Sequence, residues 1–291
     1  MEWLDGGGSR AFGMGGLRLR GAWVCGTDTG VGKTVVATGL VRALTELQVQ
    51  AVGLKPVVSG SVRTGTFRAD AAPGASGGEA LWEDLERHRL AGGVALEPEV
   101  RSVYRLHAAA APSFAAAEEG IEIDRERLLA GLRNSFAESG AEFAVIEGVG
   151  GFRVPLCPEF DTADFVAWFS LPVVLVVGMR LGCINHALLT AEALAVRGVR
   201  LAGWVANFGV DTEYGHREES VALLEEGLGL SCSARLERYQ DGGELGLARD
   251  FSAWESAVSG QIGRVSEALG GLAAELMGGL VPGLSGLRLD A

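Results

Sequence analysis

Short runs of apolar residues alternate along most of the chain with segments in which apolar residues recur at helical spacing. The apolar runs are rich in Val, Ile and Leu, as is typical of strands buried on both faces. They lie at residues 22–25, 51–58, 143–146, 173–177 and 201–207. Helical spacing predicts helices at residues 33–47, 79–88, 124–139, 162–169, 184–197, 214–228 and 257–277. The alternation predicts an α/β fold in a single domain, with a mostly parallel sheet and helices on both faces.

The two ends of the chain differ from this pattern. Residues 1–20 are rich in glycine and contain no apolar run, so we expect a flexible leader and not a signal peptide. The domain is expected to cover residues 21–240. Residues 241–291 are expected to form a C-terminal tail that is partly helical and loosely held.

Composition narrows the classes of partner and the compartment. The formal net charge is −12, which argues against sequence-independent binding of nucleic acid and against an anionic membrane surface. The four cysteines are scattered without a C-x-x-C pair, and the four histidines show no metal-ligand spacing. We therefore expect reduced thiols and a cytoplasmic location, with neither a disulfide framework nor a zinc site.

A glycine-rich segment joins the first predicted strand to the first predicted helix. It reads Gly-Thr-Asp-Thr-Gly-Val-Gly-Lys-Thr over residues 26–34, one residue longer than the common phosphate-binding loop. In such loops the lysine, here Lys33, pairs with the β- and γ-phosphates, and the hydroxyl of Thr34 would bind Mg²⁺. Only Lys33 and Lys55 among the 25 basic residues are lysines, the compact point charges suited to phosphate. The segment predicts a P-loop NTPase-like nucleotide site but leaves the reaction open.

Polar residues stand where other predicted strands end. Glu147 follows an apolar strand and precedes a glycine turn, and a carboxylate there can bind Mg²⁺. Lys55, with Ser59 close in sequence, ends the second strand and could stabilise a developing anion. Asn207 ends the fifth strand. Since ligands bind at the carboxyl ends of parallel strands, these residues and Lys33 predict one site.

Five segments in this order resemble the motif series of dethiobiotin synthetases, over about residues 22–210. They are Gly-Thr-Asp-Thr-Gly-Val-Gly-Lys-Thr, Lys-Pro-Val-Val-Ser-Gly, Glu-Gly-Val-Gly-Gly, Leu-Gly-Cys-Ile-Asn-His-Ala and Gly-Trp-Val-Ala-Asn. The resemblance implies a homodimeric cytosolic enzyme of biotin biosynthesis. Such an enzyme closes the ureido ring of dethiobiotin from 7,8-diaminononanoate and CO₂ or bicarbonate, using ATP and Mg²⁺.

The resemblance also implies roles for individual residues. Lys33 and Lys55 would be catalytic. Mg²⁺ would be held by Thr34, Asp70 and Glu147, although by its sequence context alone Asp70 is a plain loop aspartate. The substrate would contact Ser59, Gly151 and Asn185, the last across the dimer interface. The nucleotide would contact Thr29, Gly30, Val31, Gly32, Lys33, Thr34, Val35, Asp70, Glu147, Gly148, Val149, Gly150, Asn207 and Phe208.

The chain departs from the family pattern at several places. Gly30 stands where an acidic residue is common, and Arg180 stands where lysine is frequent. Residues 108–113 keep only Pro112 of a Pro-x-Ser-Pro-His type of loop, and residues 236–239 lack the proline usual beside the adenine. These departures concern the nucleobase and the substrate tail more than the phosphates.

Two other functions are compatible with a P-loop. A switch ATPase of the partition or positioning type usually carries an extra lysine early in the loop, where this chain has Asp28, and no basic or amphipathic membrane tail is evident. A cobyrinate amidase of the same superfamily would need a glutaminase module with a nucleophilic cysteine, for which 291 residues leave little room. Phosphate release from ATP with and without the diamine distinguishes ligase from switch.

Overall fold

The computed structural model describes residues 19–63, 80–237 and 251–278. The strands are β1 (Gly21–Gly26), β2 (Ala51–Leu54), β3 (Val57–Ser59), β4 (Val62–Arg63), β5 (Ala80–Leu81), β6 (Tyr104–Leu106), β7 (Phe143–Glu147), β8 (Pro155–Cys157), β9 (Phe160–Asp161), β10 (Val173–Gly178), β11 (Leu201–Asn207) and β12 (Ala234–Leu236). The helices are α1 (Lys33–Glu46), α2 (Glu83–Leu90), α3 (Pro98–Arg101), α4 (Pro112–Glu118), α5 (Arg125–Ser139), α6 (Thr162–Phe169), α7 (Cys183–Val196), α8 (Arg217–Leu228) and α9 (Phe251–Gly278). None of these helices has both the length and the apolar content needed to cross a membrane.

The central sheet has six strands in the order β12-β11-β10-β1-β7-β2. Every neighbouring pair in it is parallel, which confirms the predicted fold class. The register sets Val24 of β1 opposite Glu147 of β7, and Gly178 of β10 opposite Asn207 of β11. The carboxyl ends of these strands therefore meet at one edge of the sheet, which is where ligands bind in this class of fold.

The second predicted strand, 51–58, is two strands that separate at Pro56. Proline has no N–H to donate to a ladder. β2 accordingly pairs with β7, whereas β3 pairs with β6 in a separate two-stranded sheet. The Pro56 carbonyl accepts hydrogen bonds from the backbone N–H groups of Val103 and Tyr104. The chain thus leaves the central sheet directly after Leu54, which places Lys55 at the edge where the other predicted site residues lie.

Side chains alternate between two buried layers across the central sheet. Ala22 and Val24 of β1 pack into the cluster formed with α1 and α9. Trp23 and Cys25 of the same strand point the opposite way, into the cluster that includes residues of α5 and α6. A strand of period two that is apolar at every position is buried on both faces, so helices must cover both sides.

The described part of the predicted C-terminal tail is one long helix, α9, which packs against α1. Val258, Ile262, Val265 and Leu269 lie at helical spacing on its buried face and belong to the main core cluster. Gly39 of α1 makes this approach possible, because a Cβ built there would lie 2.4 Å from Val265 Cγ1. The glycines of α9 weaken its intrinsic helicity, and burial of this apolar face offsets that loss.

We expect Leu269→Ala to lower the free energy of unfolding by about 2 to 5 kcal/mol, because the side chain is fully buried and leaves a cavity. Glu267→Ala, on the exposed face of the same helix, is the matched control and should change stability by at most about 0.5 kcal/mol. Urea denaturation of both variants measures the difference. Equal stabilities would show that α9 does not contribute to the core in solution.

Candidate active site

The phosphate-binding loop joins β1 to α1 and depends on two glycines with left-handed backbone. Gly30 has φ +73° and Gly32, the N-terminal cap of α1, has φ +94°. A Cβ at Gly32 would lie 2.3 Å from the Asn207 side-chain nitrogen, so only glycine permits this approach. Asn207 in turn donates from Nδ2 to the Val31 carbonyl at 2.9 Å. The end of β11 therefore holds the loop, and the α1 N-terminus presents free amides to an anion.

Lys33 is almost completely buried in this loop, with 7% of its surface exposed. Its Nζ donates to the Asp28 carbonyl at 2.8 Å. Burial, reinforced by the nearby charge of Lys55, lowers the pKa of Lys33 to about 8, although Glu147 and Asp84 act in the opposite direction. Asp28 also accepts a bond from Arg180 Nη2 at 2.5 Å. Arg180, one of the departures from the family pattern, is thus tied to the loop.

Two carboxylates and one hydroxyl converge beside Lys33. The Thr34 hydroxyl oxygen lies 2.8 Å from Glu147 Oε1 and 2.9 Å from Asp84 Oδ1. Thr34 lies in the first turn of α1, Glu147 ends β7 and Asp84 lies in the first turn of α2. Two helices and one strand, which are distant in sequence, therefore bring three hard oxygen atoms together.

Lys55 lies between the two carboxylates. Its Nζ donates to Glu147 Oε1 at 2.5 Å and forms an ion pair with Asp84 Oδ2. Burial alone would lower the pKa of Lys55, but the charges of Asp84 and Glu147 outweigh it and raise the pKa. Glu147 was predicted to share a site with Lys55, whereas Asp84 was not. In the structure this ammonium is firmly charged and already paired.

Glu147 is held ionised by its neighbours. Its burial favours the neutral acid, yet the charge of Lys55 and the hydrogen bond with His88 lower its pKa to about 2. His88 is fully buried, and its Nε2 lies 2.9 Å from Glu147 Oε2. Both Asp84 and His88 were missed from the sequence. The available signal was their i, i+4 spacing, which places both on one face of a helix.

The glycine turn after Glu147 lies against the phosphate-binding loop. The position of a Cβ at Gly150 is 3.7 Å from Thr29 Oγ1, and that at Gly151 is 3.6 Å from the Thr27 carbonyl. Gly150 has φ +64°, a left-handed conformation. Successive amides in such a turn make an anion-binding concavity. Gly148, Val149, Gly150 and Gly151 thus form the second wall of the site.

A cavity of about 260 Å³ opens on the other side of the loop. It is lined in part by Gly30, Val35, Asn207 and Glu237. Gln261 of α9 also lines it, although no sequence motif points to this residue. Both ends of the Asn207 amide have backbone partners, since Oδ1 accepts from Gly209 N at 3.0 Å. Phe208 is buried beneath, with the Arg217 guanidinium 4.3 Å from its ring centroid. Asn207 therefore shapes the cavity wall as well as lining it.

Two of the predicted substrate contacts differ in exposure. Ser59 is half-buried at the end of β3, and Asn185 is exposed on α7. Asp70, predicted as a metal ligand, lies outside the described residues. Asp84 occupies the position beside Thr34 and Glu147 that such a ligand would need.

The oxygen atoms of Thr34, Asp84 and Glu147 suit Mg²⁺, which takes one or two carboxylates and completes its octahedron with phosphate and water. No group of three or more His, Cys, Asp or Glu side chains within the described ranges has the arrangement of an all-protein metal centre. The hydroxyl of Thr34 and the two carboxylates fit a metal that takes its other ligands from phosphate and water.

Comparisons with known proteins agree with this chemistry. The AAA domain family model matches residues 20–241. ATP-dependent dethiobiotin synthetase BioD of Janthinobacterium sp. strain Marseille is 42% identical over 221 residues, which cover 74% of this chain and 87% of that protein. The chain belongs to the dethiobiotin synthetase family. The family member from Aromatoleum aromaticum strain EbN1 is 46% identical over 187 residues, or 64% of this chain and 77% of that protein. The chain is accordingly an ATP-dependent ligase of this family, as the five motifs had indicated.

The fold has solved relatives at much lower identity. The septum site-determining protein MinD of Pyrococcus horikoshii OT3, complexed with Mg-ADP, has a TM-score of 0.50 and 14% identity, covering 92% of this chain and all of that one. At such identity the similarity concerns the fold alone. It confirms the P-loop NTPase-like architecture and gives no support to the switch alternative.

Proposed function

We propose that this synthetase closes the ureido ring of dethiobiotin from 7,8-diaminononanoate, CO₂ or bicarbonate, and ATP. The observation that carries the proposal is the cluster of Lys33, Lys55, Thr34, Asp84 and Glu147 at the mouth of the phosphate-binding loop. Family membership supports the choice of substrates.

The reaction has three steps. One amine of the diamine adds to CO₂, loses a proton to solvent and gives a carbamate. A carbamate oxygen attacks the γ-phosphorus of ATP, expels ADP and gives a mixed carbamic–phosphoric anhydride. The second amine then attacks the carbamoyl carbon, loses a proton, closes the ring and releases phosphate. No step needs a protein nucleophile, so the protein mainly positions the reactants and offsets the charge that develops.

The residues of the site divide this work. Lys33, beside the amides of α1, would neutralise the transferring phosphoryl group. Lys55 would neutralise the carbamate and γ-phosphate oxygens, at the point where β2 gives way to β3. The amides of 148–151 and the Ser59 hydroxyl would orient the reacting end of the diamine. The cavity beside Asn207 is lined by none of Thr34, Asp84 and Glu147, and we assign it to the adenine.

Mg²⁺, when bound, would neutralise phosphate charge and orient the β- and γ-phosphates. Thr34, Asp84 and Glu147 would hold it, since their oxygen atoms are the hard ligands that it prefers. Asp84 here joins the predicted set of Thr34, Asp70 and Glu147.

The test of the proposed function is phosphate release from ATP together with mass detection of the cyclic urea. We expect both to require the diamine, a CO₂ source and Mg²⁺, with one phosphate released per ring closed. Omitting each component in turn is the control. ATP hydrolysis that proceeds equally well without diamine, with no urea formed, would contradict the proposal and favour the switch ATPase.

Asp84→Asn should lower this turnover by at least about tenfold, because even the outer partners of a metal site typically contribute that much. The Asn amide keeps the size of the side chain but removes one anionic ligand and one partner of Lys55. Asp70→Asn, made in parallel, compares the two aspartates. If Asp70→Asn loses turnover and Asp84→Asn keeps wild-type turnover, the metal ligand is Asp70 and not Asp84.

We further propose that the enzyme is a symmetric homodimer that works in the cytoplasm, where its four free cysteines would remain reduced. Asn185 would reach the substrate's carboxylate tail across the interface. Support comes from apolar side chains that are exposed in the single chain just before and along α7, the helix that carries Asn185. Leu181 is 89% exposed, Leu189 54% and Val196 84%. An apolar patch of this kind marks an association surface, and two-fold dimers are the commonest assembly.

Light scattering should give twice the chain mass for the wild type. Leu189→Glu should yield monomers with low turnover, because a charge cannot be buried in an apolar interface. Leu223→Glu changes a comparably exposed leucine, 52%, on α8 and serves as the control. A wild-type monomer with full activity would refute the dimer.

A further inference from the structure

The described structure contains a buried histidine, His88, to which neither the sequence motifs nor the proposed reaction assigns a role. It lies on α2 with no exposed surface. Its Nε2 is 2.9 Å from Glu147 Oε2, and its Nδ1 is buried without a hydrogen-bond partner among the described residues. One side of the ring packs on Gly53 of β2, where a Cβ would lie 2.1 Å from Nδ1. Only glycine at 53 leaves room for this ring.

The partners of His88 fix where its proton lies. Glu147 is ionised and a carboxylate only accepts hydrogen bonds, so Nε2 must carry the proton. The ring therefore donates from Nε2 and makes one well-defined bond to the carboxylate.

That bond gives the two carboxylate oxygens of Glu147 different partners. Oε1 faces the Thr34 hydroxyl at 2.8 Å and the Lys55 ammonium at 2.5 Å. Oε2 faces His88 on the far side. Without the Nε2–H group, Oε2 would be a buried oxygen with no donor among the described residues. Rotation of the carboxylate would then move Oε1 away from Thr34. His88 thus fixes which oxygen is presented to the site.

Asp84 and His88 are separated by four residues, one turn of the same helix. Asp84 lies beside Thr34, and His88 binds the opposite side of Glu147. Helix α2 therefore supplies one carboxylate of the cluster and orients the other. The position of α2 therefore determines the positions of both carboxylates.

We infer that His88 is a positioning residue that holds Glu147 Oε1 in the orientation needed for Mg²⁺ and nucleotide phosphate. The inference rests on the proposed function, in which Thr34, Asp84 and Glu147 hold Mg²⁺. Hydrogen-bond partners of metal ligands typically contribute about tenfold to a hundredfold to metal affinity.

The experiment compares His88→Leu with His88→Gln by calorimetry of ADP binding over a series of Mg²⁺ concentrations and in EDTA. Leucine removes the donor and keeps an apolar side chain, while the glutamine amide can restore an N–H near the position of Nε2. We expect His88→Leu to need at least about tenfold more Mg²⁺ for the same ADP affinity. His88→Gln should remain within about threefold of the wild type, and affinity in EDTA should be unchanged in both. His216→Gln alters an exposed histidine and is the control.

Two results would contradict the role of His88 and leave the proposed function standing. The first is a wild-type Mg²⁺ dependence of ADP binding in His88→Leu. The second is an equal defect in His88→Gln and His88→Leu, because it would indicate that the ring acts by packing and not by donating a hydrogen bond. ADP binding in the wild type that ignores Mg²⁺ would instead overturn the metal site of the proposed function, and this inference with it.

A second measurement covers the case in which His88→Leu does not fold. In wild-type protein labelled with ¹⁵N-histidine, the His88 signals are those that His88→Gln lacks, among four histidines. We expect the one-bond proton on Nε2. An Nε2 without a bound proton would show that Glu147 does not accept from this ring and would overturn the inference.

Discussion

Lys55→Gln is expected to lower diamine-stimulated phosphate release by about a hundredfold or more, because loss of a preorganised charge at the reacting centre typically has that effect. The amide keeps hydrogen bonding and approximate length but has no charge. Lys55→Arg should not restore turnover, since the planar guanidinium cannot take the place of a compact ammonium between Asp84 and Glu147. Phosphate release and ADP affinity are measured for each variant.

The same substitution should also weaken the free protein. Lys55 is 4% exposed and is the cation that neutralises two carboxylates, and removing one partner of a buried ion pair costs about 3 to 5 kcal/mol. Asp84 is partly exposed, so water moderates this cost. Mg²⁺ should therefore raise the melting temperature of Lys55→Gln more than that of the wild type, because it supplies the lost charge.

Arg235→Gln is the control for both effects. Arg235 forms an ion pair with Glu218 on the surface and is 46% exposed at its side chain. Removal of its charge should leave turnover and melting temperature close to those of the wild type. Wild-type turnover in both Lys55 variants would contradict the catalytic role, and wild-type stability in Lys55→Gln would contradict the ion-pair geometry.

Local chemistry explains which elements were predictable. The segment from β1 to α1 combines an apolar strand, two glycines that can adopt positive φ, and Gly-Lys-Thr at a helix start. Each of these features is set by neighbouring residues, so the sequence alone predicted it. The parallel strands β7, β10 and β11 were recognised for the same reason, since continuous Val and Ile runs require burial on both faces.

The parts that were missed depend on contacts between distant residues. Asp84 is one of several acids at the start of α2, and in sequence it resembles Glu83 and Glu86, which favour a helix N-terminus. Only the approach of α2 to Thr34 and Glu147, 50 and 63 residues away in sequence, makes it different. The burial of His88 could not be predicted from its own neighbours in sequence, because it depends on the space that Gly53 leaves for the ring.

The C-terminal helix shows the same limit. Its glycines predicted an interrupted, loosely held segment, because glycine is about 1 kcal/mol less favourable than alanine inside a helix. Burial of Val265 and Leu269 against α1 outweighs that preference. Gln261 reaches the cavity beside Asn207 only because this packing is in place.

Lys33→Ala is expected to reduce ATP turnover by about a hundredfold or more while leaving the fold intact. Lys33 directly follows Gly32 of the phosphate-binding loop, and within the described part of the chain its ammonium donates to the Asp28 carbonyl and to no carboxylate. Loss of its charge should therefore remove stabilisation of the transferring phosphoryl group, and leave no buried acid without a partner.

The expected stability change of Lys33→Ala is opposite in sign to that of Lys55→Gln, or absent. The pKa of Lys33 in the folded protein is lowered from 10.5 to about 8, first by burial and then by Lys55. A lysine whose folded pKa is lowered binds its proton less well in the folded state, so at neutral pH its charge opposes folding. Lys33→Ala should then melt at the same temperature as the wild type or higher. Arg42→Ala, on the exposed face of the same helix, is the control and should retain full turnover. Near-normal turnover in Lys33→Ala would contradict the phosphate-loop assignment, and a marked loss of stability would show that Lys33 supports the fold instead of the chemistry.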